Sequence, residues 1–162
     1  MKKIPFFKHR LFLLGVSLSL YTMGLILPAL AFEIVDFKTL HTGIIIEMKG
    51  IEVTAWGVLG LLFLQIPAIG WLANPLYLFS CVSFVNKKYQ SSLIFALIAI
   101  IVGFTGTMSA YWFALPNGSN PDSQILLTKL LLGFWLWIAA PTFLMLVDFV
   151  YLQSRSHTNV HQ

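Results

Sequence analysis

Between Val53 and Asn86 the chain carries no charged side chain over 34 residues. Leu11–Ala31, Tyr89–Pro121 and Leu130–Val147 share that property. About 20 residues rising 1.5 Å each cross the roughly 30 Å hydrocarbon core of a bilayer, so runs like these are of membrane-spanning length. Backbone amides in lipid must bond within their own segment, which makes such spans helices; barrel strands would instead alternate over about ten residues between turns. Composition agrees, with 58% apolar and 10% charged residues, where a soluble domain holds about 25% charged. An ordinary soluble enzyme is thereby excluded.

The pattern predicts an all-α integral membrane protein, a single membrane domain over residues 1–162. Four transmembrane helices are expected, at about 11–31, 67–86, 91–113 and 125–152, with an outer loop at 32–53. The 34-residue stretch needs special treatment, because a straight helix of that length would measure about 50 Å, while two crossings would require about 40 residues plus a turn. It must therefore break. Pro67 and Pro75 remove backbone donors and crowd the preceding turn. The expected break is at Gln65-Ile66-Pro67, with a short helix 54–64 on the outer side leading into the crossing helix. Asn74-Pro75 then falls near mid-bilayer, where a broken helix and a polar amide either line a solute site or form a kink satisfied by neighbouring helices. Gln65, Pro67, Asn74 and Pro75 are the candidate site residues for the first of these.

The first span also matches a second pattern. Lys2, Lys3, Lys8 and Arg10 precede an apolar run that ends in Ala29-Leu30-Ala31, as in a secretory signal peptide. The run exceeds the usual 7–15 residues of a signal core, and Ser17, Ser19 and Thr22 suit a helix-packing face, so retention as a span is the expectation. With the N-terminus inside, seven basic residues (Lys2, Lys3, Lys8, Arg10, Lys87, Lys88, Arg155) lie on the cytoplasmic side against three (Lys38, Lys49, Lys129) outside. Both termini are then cytoplasmic, in a cell inner membrane. No basic cluster resembles a nucleic-acid motif, and no nucleic-acid partner is expected.

In the outer loop, Ile44, Ile46 and Met48 alternate with Ile45, Glu47 and Lys49. Such alternation predicts a strand, and with Phe32–Leu40 and a turn at His41-Thr42-Gly43 a small β-hairpin. Leu115–Pro121 reads as a turn. Small residues four apart (Gly15 and Ser19, Gly103 and Thr107, Gly106 and Ala110) allow close helix approach. Trp56, Tyr111, Trp112 and Tyr151 suit the membrane interfaces, whereas Trp135 and Trp137 read as bundle or lipid-facing bulk.

Catalytic chemistry finds little support. His9, His41, His157 and His161 fall outside the expected spans, and Cys81 is the sole cysteine. No haem, metal or other cofactor is expected, nor a disulfide enzyme. Asp148 is the one acid associated with a span, and Arg155 is its candidate partner in an inner ion pair. Beside recognition of an outer ligand or toxin through the hairpin at Phe32–Glu52, two functional readings remain. One is a structural or accessory protein, a subunit or regulator of a larger membrane complex. The other is an oligomeric transporter or channel for a small solute at the Asn74-Pro75 break. Partners beyond the lipid bilayer are accordingly another membrane protein or a homo-oligomer.

Overall fold

The computed structural model describes residues 10–36, 43–117 and 122–159, the side chains of 155–159 excepted. In chain order the elements are α1 (Arg10–Ile26), β1 (Pro28–Asp36), β2 (Ile45–Lys49), α2 (Gly50–Leu62), a 3-10 segment (Ile66–Leu72), α3 (Ala73–Val85), α4 (Tyr89–Ser109), β3 (Leu115–Pro116), β4 (Ser123–Leu130) and α5 (Leu132–Asn159). Three helical stretches are long and apolar enough to cross a membrane: Ile66–Val85, Tyr89–Ser109 and Leu132–Ser154. The 17 residues of α1 form a shorter apolar helix. Pro28 stops it, since proline offers no amide and disfavours helical backbone at Leu27.

The all-α expectation needs correction. The helices carry a four-stranded antiparallel sheet of order β2-β1-β4-β3. In β1, Phe32 pairs with Ile46 on one side and with Leu127 on the other. The hairpin strands are thus half of the sheet; of the turn expected at His41-Thr42-Gly43, His41 and Thr42 lie outside the described residues, and Gly43 has φ 69°. The other half comes from 115–130. Residues 125–130, expected to begin the fourth span, belong to the strand Ser123–Leu130, and the helix starts at Leu132. The apolar run of β4 reads as helix entry from sequence alone. Pairing with β1, which satisfies its amides, decides otherwise.

The break in the long stretch comes from a helix end. Leu64 adopts a left-handed backbone (φ 54°). Leu64 N–H bonds to the Leu61 carbonyl at 3.1 Å and Gln65 N–H to the Gly60 carbonyl at 2.9 Å, the paired bonds of a Schellman cap. The same device ends α3, with Lys87 at φ 60°. Pro67 then sits in the first turn of the 3-10 segment and Pro75 in the first turn of α3, where a missing donor costs no helical bond.

Packing runs small side inward. On α4 the buried residues are Tyr89, Ser92, Ala96, Ala99, Gly103 and Gly106, and from Ser92 onward they form a seam of small residues spaced four and three apart. Leu97, Ile98, Ile101 and Phe104 face outward and exposed. Small inside and large outside is the arrangement of a bundle meant for lipid, where close backbone approach replaces burial from water as the cohesive force. Glycines also join α1, α2 and α5. A methyl on Gly24 would lie 2.7 Å from the Trp137 nitrogen, and one on Gly133 would lie 2.7 Å from the Leu27 carbonyl oxygen. At one end of the bundle Phe84, Tyr89 and Tyr151 form a triangle of ring contacts, Tyr89 and Tyr151 stacked at 4.8 Å.

Candidate functional site

Asn74 is the polar centre of the bundle. It is 7% exposed, and its Oδ1 accepts from Tyr21 Oη on α1 and Trp137 Nε1 on α5, both at 2.9 Å. Indole N–H can only donate, so this geometry fixes which end of the carboxamide faces Trp137. One level further along α1, Ser17 Oγ donates to the Ala140 carbonyl at 2.8 Å and accepts from Tyr77 Oη at 2.7 Å. Tyr77 in turn stacks on Tyr21, centroids 4.9 Å apart. Helices α1, α3 and α5 are therefore tied by two adjacent polar layers. Trp137 belongs to this tie, whereas Trp135 is half exposed.

Above Asn74 lies a cavity of about 570 Å³. Its roof is the inner face of the sheet, with Phe32, Met48 and Ile125. Its walls come from α2, the 3-10 segment and the ends of α4 and α5 that meet the sheet. None of the described residues lining it is charged. The polar side chains are few: Thr54, Gln65, Asn74, Thr107 and Asn117, with the indoles of Trp56, Trp71 and Trp137. A mostly apolar cavity of 300–1,000 Å³ with a few placed polar groups is the usual form of a small-molecule site. Of the four residues proposed from sequence, Gln65, Pro67 and Asn74 line this cavity together, and Pro75 does not.

Asp148 occupies a different place. It is 0% exposed, and neither carboxyl oxygen has a hydrogen-bond partner among the described residues. The Ser92 hydroxyl lies beside it but is engaged with Ser80 at 3.1 Å. Lys87 and Lys88 are exposed. The Arg155 side chain lies outside the described residues, as do His9, His41, His157 and His161. Among the described residues no group of three His, Cys, Asp or Glu could hold a metal, and Cys81 is a buried free thiol.

No known protein family, curated protein or solved structure matches this chain. Any functional reading therefore rests on the geometry. The cavity had no signal in sequence spacing, because its walls come from strands and helices far apart along the chain. The burial of Asp148 had one: on a helix, Leu144, Asp148 and Tyr151 fall on a single face, and all three are buried.

Proposed function

We propose that this is a small multi-pass accessory protein of the cell inner membrane, a non-catalytic subunit or regulator of a larger membrane assembly. In this reading α1 is a fourth span and both termini are cytoplasmic. At 17 residues α1 is at the short end of spanning length. It lies along α5, and the seven-to-three bias of basic residues orients it. Cleavage after Ala31 would cut through β1, the strand that pairs with both β2 and β4. The intact mass of the protein taken from its own membrane is expected to include residues 1–31.

One observation carries the accessory reading over transport. The Asn74 carboxamide oxygen, which a solute path at the helix break would need free, already accepts from α1 and α5. Flux through that point would first have to part the three helices. Asn74→Leu is expected to lower stability by about 2–4 kcal/mol, because the Trp137 and Tyr21 donors lose their acceptor in an apolar interior. Thermal melting in mild detergent and abundance in the membrane would both fall. A variant that keeps normal abundance while abolishing solute flux in vesicles would instead establish the transport reading. Native mass spectrometry of the complex from its own membrane tests the accessory role directly: a heteromeric mass supports it, and a bare monomer sinks it.

A further inference from the structure

The cavity beneath the sheet has a chemistry of its own, independent of any partner. Its described lining contains no cation and no carboxylate, so a charged ligand would enter with nothing to offset its desolvation. Its lining includes the amide side chains of Gln65 and Asn74 and the indole of Trp71. The Asn74 oxygen is taken twice, which leaves its NH2. The Gln65 carboxamide has no hydrogen bond among the described residues. The Trp71 Nε1–H is buried without an acceptor and is closed off from the open space of the cavity, which the rest of the indole lines. A carboxamide without a protein partner on an otherwise apolar wall offers a ligand both a donor and an acceptor, and Gln65 is such a group. The mouth is equally informative. Trp56, Leu59 and Phe63 on its rim are 57%, 43% and 74% exposed. They continue into Leu62, Leu64 and Ile66, which form an apolar tip at the end of α2. A ligand reaches this opening from lipid rather than from water.

We infer that the cavity holds an uncharged amphiphile from the bilayer, its apolar tail along the roof formed by Phe32, Met48 and Ile125, and a carbonyl oxygen accepting from the amide groups of Gln65 and Asn74. Two membrane constituents present this chemistry: the acyl ester of a neutral glycerolipid and the carbonyl of an isoprenoid quinone. Both fit a site with apolar walls and a few amide donors.

Native mass spectrometry on the full chain from its own membrane is expected to show a retained neutral molecule. Its mass, together with the presence or absence of quinone absorbance, separates the two sources. The delipidated protein is then titrated with a bromine-labelled diacylglycerol, a short-chain ubiquinone and a brominated alkane of matching tail length. Trp56, Trp71 and Trp137 line the cavity and report binding by fluorescence quenching. At least one carbonyl-bearing probe is expected to quench saturably and to bind about tenfold tighter than the alkane. Val53→Phe, which fills the cavity wall, is expected to weaken that binding by about tenfold or more. Gln65→Leu removes a donor group that makes no protein bond, and it is expected to erase most of the preference over the alkane while the melting temperature holds. Should Val53→Phe fail to fold, Gln65→Leu carries the test alone. Saturable binding of neither carbonyl probe, equal binding of the alkane, or a retained anionic lipid would overturn the inference. None of these readouts depends on a protein partner, so the accessory reading can fail while this one stands.

Discussion

Gly106→Ala is expected to be among the most damaging single-methyl additions to this bundle, lowering stability by about 3 kcal/mol or more. The methyl group would lie 2.5 Å from the Gly70 Cα and closer still to the Gly70 nitrogen. Both neighbours are backbone, which cannot rotate aside as a side chain can. Relief would require α4 to move away from the 3-10 segment, opening the seam that continues through Gly103, Ala99 and Ala96. Gly15→Ala is the matched control. It sits on α1 with nothing within 4 Å of the added carbon, and alanine favours helix over glycine by roughly 0.5–1 kcal/mol. Its melting temperature should therefore hold or rise slightly. Thermal unfolding of both variants in the same detergent decides the matter. Equal, mild effects would mean that α4 and the 3-10 segment do not meet at their backbones in the membrane.

These two glycines also show how far the sequence could be read. Gly106 and Gly15 each stand four residues from another small side chain, so spacing alone rated them alike. Only the fold separates the one that meets a neighbouring backbone from the one that faces outward. Charge-free runs located the three apolar helices of spanning length, because lipid excludes charge whatever the partner, a property of each residue by itself. The alternation at Ile44–Lys49 revealed a strand for the same local reason. Ser123–Leu130 escaped because its strand character depends on β1, more than 80 residues earlier, and its apolar run merges into α5. Asn74 was visible as a polar residue in mid-span. Its meaning was not, since it depends on Tyr21 and Trp137, and neither spacing nor composition relates those residues to it. The cavity was the least legible feature, an absence of atoms bounded by residues from both sheet and helices.

Asp148→Val is expected to raise the melting temperature, against the usual sign for changing a buried polar residue. Most such changes destabilise because they strand a partner. Here neither carboxyl oxygen reaches hydrogen-bond geometry with a described residue, and the neighbouring Ser92 hydroxyl keeps its contact with Ser80, so valine removes a polar group and gives up at most a weak approach to Ser92. An unsatisfied buried polar group costs about 1–3 kcal/mol. For a protein of this size that corresponds to roughly 2–4 °C per kcal/mol. Asp148→Asn keeps the shape and a polar head, and it should fall between valine and the native protein. Arg155 supplies the opposing outcome. If its guanidinium reaches back to the carboxylate, Asp148→Val lowers the melting temperature, Arg155→Gln lowers it comparably, and the double variant adds nothing further. A rise in stability would identify Asp148 as an acid that the bundle retains at a cost to folding. Residues of that kind within a membrane span are commonly functional, and here it would lie among α3, α4 and α5, on the far side of the Asn74 layer from the cavity.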